Sequence, residues 1–155
     1  MIRVLFVCHG NICRSPMAEF IMKQLAAEAG RSAGLEISSA GTSEEELGNP
    51  VWGPARKTLA AHGIGCFGHH ARCVHASDYG RYDLFVAMDA ANLANLRRRF
   101  GGDPAGKVRL LGEFAPGSDG TAGTVEDPWP YGDYEAVYRQ IEAGCRGLLE
   151  RLGTN

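Results

Sequence analysis

Short apolar segments alternate with longer segments of helical periodicity along most of this chain. Four apolar runs have the length of buried β-strands, and they lie at residues 2–7, 35–40, 83–88 and 107–111. Helical spacing or capping residues mark four further segments, at residues 14–29, 54–61, 90–100 and 134–151. The last of these segments places Val137, Ile141 and Leu148 on one face. Strands that alternate with helices predict βαβ units and a parallel sheet covered on both faces.

The pattern predicts one doubly wound α/β domain over residues 1–155, with four parallel strands and helices on both faces of the sheet. Neither a linker nor an internal repeat interrupts it. Two segments rich in polar, Gly and Pro residues are predicted loops, at residues 42–53 and 115–133. Ligands of such sheets bind beyond the carboxyl ends of the strands. Cys8, residues 39–41 and residues 88–89 fall at such ends, so they are candidates for a binding site.

Composition narrows the functional classes. A chain of 155 residues with 45% hydrophobic and 22% charged residues is typical of a globular domain that buries a core. The net charge of −2 argues against nucleic-acid partners and anionic membranes, and the basic run 97–99 is interpreted as a solvated helix end. No run approaches the ~18 apolar residues that span a membrane. Five cysteines without a recognisable signal peptide predict reduced thiols in the cytoplasm.

The spacing Cys-x5-Arg occurs three times and therefore selects no site by itself. The three pairs are Cys8 with Arg14, Cys66 with Arg72, and Cys145 with Arg151. Cys145 lies on the apolar face of the last predicted helix and is expected in the core. Cys66 lies in a loop without a helix start after Arg72. Zinc ligation by Cys66, His69, His70 and Cys73 is disfavoured, because no Gly or Pro lies between His69 and Cys73 to help four ligands reach tetrahedral geometry.

Cys8 differs because it ends an apolar strand and a helix begins at Arg14. Gly10 and Asn11 tolerate left-handed backbone conformations, so the intervening loop is able to turn its N–H groups inward. These N–H groups and the helix N-terminus favour a phosphate dianion and the thiolate form of the cysteine. Arg14 binds two phosphoryl oxygens with its planar fork, and the hydroxyl of Ser15 donates to the thiolate. The predicted phosphate cradle comprises His9, Gly10, Asn11, Ile12, Cys13, Arg14 and Ser15.

A thiophosphate mechanism also needs an acid that protonates the leaving oxygen. The candidate is Asp127, in the segment Glu-Asp-Pro-Trp-Pro-Tyr. Pro128 and Pro130 stiffen this segment, so it is able to hold Asp127 over the pocket while Trp129 and Tyr131 line the walls.

Several motifs together resemble the low-molecular-weight protein tyrosine phosphatases. They are Cys-His-Gly-Asn-Ile-Cys-Arg-Ser-Pro-Met-Ala-Glu at 8–19, Ser-Ala-Gly-Thr at 39–42, His-Gly-Ile at 62–64, His-His-Ala-Arg at 69–72, Met-Asp at 88–89 and Asp-Pro-Trp at 127–129. The resemblance covers nearly the whole chain. It implies a four-stranded parallel sheet with helices on both faces, of the flavodoxin-like or phosphotyrosine phosphatase I-like type.

The resemblance also implies roles for individual residues. Cys8 is the nucleophile that forms a cysteinyl phosphate, Arg14 binds phosphate, and Asp127 is general acid and then general base. Asn11 shapes the loop, supported by His69 and Ser39. It implies no metal and no cofactor. The implied partner is a phosphotyrosine-containing protein or a small aryl phosphate, acted on by a monomer or weak homodimer.

Further expectations concern the thiol next to the nucleophile and the rim of the pocket. In relatives a cysteine at the place of Cys13 forms a protective disulfide with the nucleophile, so Cys13 is a candidate redox lock. Glu45 stands where many relatives have an aromatic residue, and Pro130 interrupts the usual Asp-Pro-Tyr-Tyr. Residues 44–46 give the predicted rim an acidic patch. We therefore expect weak turnover of acidic phosphopeptides and lower substrate affinity than in relatives with an aromatic rim. Tyr131 and Tyr134 are interpreted as surface aromatic residues.

Three alternatives remain open. Phosphoarginine phosphatases share the loop but usually carry Thr at the place of Ile12, and an aliphatic side chain suits a phenyl ring better than a guanidinium. Thiol-dependent arsenate reductases use two further cysteines, but Cys66 and Cys73 precede the third predicted strand whereas that family's pair follows it. A non-catalytic phosphate-binding module is the third alternative, disfavoured because Cys8 and Asp127 are both present.

Overall fold

The computed structural model describes residues 1–117 and 123–153. Within these residues four parallel strands form one sheet, in the spatial order β2-β1-β3-β4. Their bounds are β1 Ile2–Cys8, β2 Leu35–Gly41, β3 Leu84–Ala87 and β4 Val108–Leu110. The predicted α/β fold with a four-stranded parallel sheet is confirmed. The order reverses beside β1, which leaves a crevice at the carboxyl end of that strand.

Four α-helices connect or flank the strands in the described part of the chain. They are α1 Arg14–Glu28, α2 Gly53–Ala61, α3 Ala90–Phe100 and α4 Tyr134–Leu152. The four predicted helices are therefore present, and none of their ends differs from the prediction by more than one residue. Three short 3-10 helices escaped the sequence analysis, at Ser32–Gly34, Ala76–Gly80 and Leu111–Phe114. The last of them shortens β4 relative to the prediction, because Glu113 accepts a hydrogen bond from the backbone N–H of Leu110 (2.9 Å).

Alternate residues of β1 pack on opposite faces of the sheet. Val4 and Phe6 join the larger apolar core with α1, α2 and α4, and Leu5 and Val7 join a second core with α3. The prediction of helices on both faces is confirmed. Cys145 is fully buried in the larger core, as predicted, and burial raises the pKa of its thiol.

The carboxyl ends of the central strands meet at one edge. Cys8 at the end of β1 pairs with Gly41 at the end of β2, and Val7 pairs with Ala87 at the end of β3. Gly41 is required for this close approach, because a Cβ atom there would lie 2.6 Å from the carbonyl oxygen of His9. None of the helices within 1–117 and 123–153 has the length and hydropathy of a membrane span.

Candidate active site

The loop between β1 and α1 surrounds a cavity at the carboxyl edge of the sheet. Residues of three segments line the cavity, and they are Cys8, His9, Gly10, Ile12, Cys13, Arg14, Glu45, Glu46, Asp127 and Trp129. Cys8 lies at the end of β1, and Arg14 begins α1. The structure thus brings together the predicted nucleophile, the predicted phosphate-binding arginine and the predicted acid, which are up to 119 positions apart in the chain.

Asn11 is the hub of this loop. It has a left-handed backbone conformation with φ of 61°, which Asn tolerates better than most residues. Its side-chain amide donates to Ser15 Oγ (2.9 Å) and Ser39 Oγ (3.0 Å), and its Oδ1 accepts from the backbone N–H of Arg72 (3.0 Å). Nε2–H of His69 donates to the Asn11 carbonyl oxygen (2.8 Å). The buried amide is therefore held from three segments, which stabilises the shape of the loop.

The hydroxyl of Ser15 lies 3.0 Å from Cys8 Sγ. Because Ser15 Oγ accepts a hydrogen bond from Asn11, its own hydrogen is directed to Cys8 Sγ or to the carbonyl oxygen of Ala40 (3.3 Å). A negatively charged sulfur is the stronger acceptor of the two. The geometry thus allows Ser15 to stabilise a thiolate at Cys8.

Gly10 differs from its predicted role. It does not adopt a left-handed conformation, so only Asn11 of the predicted pair does. A Cβ atom at Gly10 would lie 3.3 Å from Cγ of Glu46. The absent side chain instead leaves room for the 44–46 segment at the edge of the cavity.

Ser39 connects the hub to a carboxylate of α1. Its hydroxyl donates to Glu19 Oε1 (2.6 Å), and Lys23 donates to Glu19 Oε2 (2.5 Å). Ser39 and Glu19 are both buried. Because the single hydroxyl hydrogen of Ser39 is donated to Glu19, the Ser39 oxygen acts only as an acceptor towards Asn11. The NH₂ group of the Asn11 amide therefore faces Ser39, which sets the orientation of that amide.

Arg14 is only 3% exposed and is oriented by two partners. Its Nη1 donates to Asp89 Oδ2 (2.7 Å) and to the carbonyl oxygen of Val125 (3.0 Å). Asp89 also caps α3 by accepting from the backbone N–H of Asn92 (2.8 Å). Asp89 was predicted at a strand end. Its ion pair with Arg14 was missed, because the two residues are 75 positions apart.

Asp127 stands at the mouth of the cavity with its side chain 52% exposed. Its Oδ2 lies 3.7 Å from Arg14 Nη2, and its Oδ1 accepts from the backbone N–H of Trp129 (3.1 Å). Trp129 lines the cavity as predicted for the rim. Tyr131 was also predicted to line it but does not, since its exposed ring lies beside Trp52 instead, with centroids 6.0 Å apart.

Two glutamates also line the cavity. Glu45 lines the cavity with 74% of its side chain exposed, and its Oε2 lies 3.6 Å from His9 Nε2. Glu46 also lines the cavity, and its Oε2 accepts from Asn49 Nδ2 (2.7 Å). An acidic patch at residues 44–46 was predicted on the rim, and Glu45 and Glu46 of that patch line the cavity.

Cys13 lines the same cavity as Cys8 and is 5% exposed. Burial raises the pKa of its thiol to about 12, against a lowering by the hydrogen bond with Tyr134 (Sγ to Oη, 3.6 Å). The interpretation of Tyr134 as a surface residue was wrong. Its side chain is 6% exposed because it begins α4 facing the core, with its hydroxyl donating to the carbonyl oxygen of Pro130 (2.9 Å).

Two of the four residues in the disfavoured zinc set have other contacts. His69 binds the Asn11 carbonyl, and Cys73 Sγ accepts from Arg99 Nη1 (2.8 Å). Over the stretches 1–117 and 123–153, no group of three or more His, Cys, Asp or Glu side chains is arranged to hold a metal ion.

Comparisons with known proteins agree with this geometry. A family model described as low molecular weight phosphotyrosine protein phosphatase matches residues 3–155. The chain is 40% identical to the low molecular weight protein-tyrosine-phosphatase YfkJ of Bacillus subtilis (strain 168), over 98% of this chain and 96% of the relative. It is 37% identical to the low molecular weight phosphotyrosine protein phosphatase of Homo sapiens, over 96% of this chain and 94% of the relative.

Solved structures give the same result. The crystal structure of YfkJ from Bacillus subtilis is similar with a TM-score of 0.92 and 39% identity, over 98% of this chain and 94% of that one. The structure of a Drosophila arginine phosphatase is similar with a TM-score of 0.87 and 30% identity, over 99% of both chains. With the family model matching nearly every residue and relatives matching over almost their full length, the chain belongs to the low molecular weight phosphotyrosine protein phosphatase family.

Proposed function

We propose that this protein hydrolyses phosphotyrosine in proteins, or small aryl phosphates, through a phosphate ester on Cys8. One observation carries the proposal: the thiol of Cys8, the guanidinium of Arg14 and the carboxyl group of Asp127 line one cavity. These are the nucleophile, the anion clamp and the acid that phosphoryl transfer to a thiol requires.

In the first step the thiolate of Cys8 attacks phosphorus. Nη1 of Arg14 already donates to Asp89 and Val125, so we assign Nε and Nη2 to two phosphoryl oxygens. Asp127 protonates the tyrosine oxygen as its bond to phosphorus breaks. Its exposed position at the cavity mouth supports this role, because the leaving group faces solvent.

In the second step water attacks the phosphorus of the cysteinyl phosphate. Asp127, now a carboxylate, takes a proton from that water. The sulfur leaves as a thiolate and accepts the hydrogen bond of Ser15, 3.0 Å away. Phosphate then leaves, and both Cys8 and Asp127 have returned to their starting forms.

Apolar walls support an aryl substrate. Ile12 and Trp129 both line the cavity, and both contact a phenyl ring favourably. Phosphoarginine is the second candidate, because the chain is similar to a structure named as an arginine phosphatase and a carboxylate of Glu45 stands at the rim. An arsenate reductase with Cys66 and Cys73 is disfavoured, since Cys73 is buried and hydrogen-bonded to Arg99.

The test compares phosphotyrosine, phosphoarginine and arsenate as substrates of the same preparation. We expect the highest kcat/KM with phosphotyrosine. Cys8→Ser should abolish turnover, and Asp127→Asn should lower kcat/KM for phosphotyrosine by about 10²–10⁴-fold. Phosphate covalently bound to Cys8 should accumulate in acid-quenched samples of the native enzyme. Phosphate binding without turnover would instead indicate a non-catalytic binding module.

Cys13 is proposed as a reversible redox lock of this site. Peroxide oxidises the Cys8 thiolate to a sulfenic acid, and the Cys13 thiol then displaces water to form a disulfide. Both side chains line one cavity, which supports the pairing. Because burial raises the pKa of Cys13 to about 12, we expect the disulfide to form slowly at neutral pH.

We further propose that residues 1–155 act as one domain in a reducing compartment, the cytoplasm, as a monomer or weak homodimer. Two apolar cores that share one sheet support a single domain. All five cysteines are thiols, which supports a reducing compartment.

A further inference from the structure

Trp52, immediately before α2, contacts both functional loops at once. Its backbone N–H donates to the carbonyl oxygen of Ile12 in the phosphate loop (2.9 Å). Its indole Nε1–H donates to the carbonyl oxygen of Pro130 (3.0 Å), three residues after Asp127. One residue therefore connects the segment that holds the nucleophile to the segment that carries the acid.

Aromatic contacts strengthen this connection. The Trp52 ring lies 4.6 Å from the Trp129 ring, at an interplanar angle of 51°, and 6.0 Å from the Tyr131 ring. Such distances fall in the range of favourable aromatic pairs. Trp52 is half-buried, whereas Trp129 and Tyr131 are exposed, so the packing acts on a segment that has little other cover.

Asp127 lies between two attachment points of its segment. On one side the N–H of Val125 donates to the carbonyl oxygen of Met88 (2.9 Å), at the end of the sheet. On the other side the Pro130 carbonyl oxygen accepts from both Trp52 (3.0 Å) and Tyr134 (2.9 Å). These two points place the backbone of Asp127, and its carboxyl group accepts from the backbone N–H of Trp129 within the same segment (3.1 Å).

We propose that Trp52 is a positioning residue that holds the 127–131 segment over the phosphate loop and so places Asp127 at the leaving oxygen. This inference rests on the proposed role of Asp127 as general acid. Trp52 acts through Pro130 and Trp129 and does not line the cavity. Its loss therefore weakens proton donation while leaving the groups that bind phosphate in place.

The test uses the dependence of kcat/KM on the leaving group. A poor leaving group, as in phenyl phosphate or phosphotyrosine, needs the proton from Asp127, and an activated phenolate such as para-nitrophenolate needs it much less. Trp52→Phe removes the Nε1–H donor while keeping an aromatic ring, and it should lower kcat/KM for phenyl phosphate about fivefold, the value of one ordinary hydrogen bond. Trp52→Ala also removes the packing against Trp129 and Tyr131, and the resulting misplacement of Asp127 should lower kcat/KM for phenyl phosphate by about 10–100-fold.

Three controls separate positioning from general damage. Leu59→Ala opens a cavity in the core under α2, seven residues after Trp52, and should lower stability without any dependence on the leaving group. Inhibition by inorganic phosphate should change less than about twofold in both Trp52 variants, because the phosphate cradle keeps its backbone contacts. In the background of Asp127→Asn, Trp52→Ala should cause no further loss of kcat/KM for phenyl phosphate, since the acid is already absent.

The outcomes are distinguishable. The inference is supported if Trp52→Ala lowers kcat/KM more for phenyl phosphate than for para-nitrophenyl phosphate, and if this difference disappears in the background of Asp127→Asn. Equal losses on both substrates, or additive losses in the double variant, overturn it. If Asp127→Asn itself shows no leaving-group dependence, the proposed general acid fails, and the inference about Trp52 fails with it. If Asp127→Asn shows the dependence and Trp52→Ala does not, only the inference about Trp52 fails.

Discussion

The acidic rim leads to a prediction about substrate choice. Glu45 and Glu46 line the same cavity as Asp127, so a bound phosphopeptide presents its flanking residues to several carboxylates. The phosphate itself is a dianion that the rim repels. We therefore expect peptides with Lys or Arg next to phosphotyrosine to be turned over faster than peptides with Asp or Glu there.

The size of the effect follows from exposure. The Glu45 side chain is 74% exposed, so the value for an exposed ion pair applies, about 0.2–1 kcal/mol per pair. A direct estimate agrees: two unit charges about 6 Å apart in water interact by about 0.7 kcal/mol before screening by salt. One flanking charge should thus change kcat/KM about threefold, and replacing a basic flank by an acidic one about tenfold.

The assay measures kcat/KM for basic, neutral and acidic phosphopeptides at about 0.05 M and about 0.5 M salt, because the Debye length shortens from about 14 Å to about 4 Å over that range. Glu45→Gln and Glu46→Gln should each reduce the ratio of kcat/KM for basic peptides to kcat/KM for acidic peptides. Glu28→Gln is the matched control, since it removes the same charge at the far end of α1, about 21 Å from Arg14 along the helix. Glu45→Trp should lower KM, because it supplies an aromatic wall worth about 0.5–1.5 kcal/mol.

Equal rates for the three peptides in the native enzyme would refute the reasoning. So would a ratio that Glu45→Gln and Glu46→Gln leave unchanged, or one that responds equally to Glu28→Gln. An inert Glu45→Trp would refute the idea that the missing aromatic residue lowers affinity.

Three further predictions concern the frame of the site. Asn11→Ala should lower the free energy of unfolding by about 2–4 kcal/mol in urea titrations, because three side-chain hydrogen bonds are lost and Ala is placed at a φ of 61°. A loss below about 0.5 kcal/mol would contradict the role of Asn11 as the hub of the loop. Asp89→Asn keeps the cap of α3 but leaves the buried charge of Arg14 without its carboxylate partner, so Tm should fall by about 4–10 °C. An unchanged Tm would contradict a stabilising ion pair between Arg14 and Asp89. The pKa of Cys13 rises from 9.0 in the unfolded chain to about 12, so its stabilising contribution is complete below pH 9 and is lost between pH 9 and about 12, by up to about 1.4 kcal/mol per pH unit. Cys13→Ala should flatten this alkaline loss in denaturation curves, and identical slopes in both proteins would contradict it.

Much of the site could be predicted because its chemistry is local. Cys8, Asn11, Arg14 and Ser15 lie within one turn of chain between a strand and a helix, and their roles follow from the backbone that such a connection imposes. The strands were recognisable for a similar reason. A strand buried on both faces reads as a short continuous apolar run, whatever its neighbours are.

The partners that orient these residues were not predictable in the same way. Asp89 meets Arg14 across 75 positions, Ser39 meets Glu19 across 20, and the indole of Trp52 meets the Pro130 carbonyl across 78. Hydrophobic periodicity reports which face of an element is buried, but it carries no information on which polar groups of distant segments meet. Tyr134 illustrates this limit, since its burial depends on how α4 docks near Cys13.

The sequence by itself therefore determined the proposed nucleophile, the loop that surrounds it and the alternation of strands and helices, because each depends on contacts between near neighbours in the chain. The tertiary structure alone decided how Arg14 is aimed, that Tyr131 does not line the cavity, and that Trp52 links the two loops. These features arise where strand ends and loops converge at one edge of the sheet. Their energies depend on distances of a few ångströms between atoms that only folding brings together.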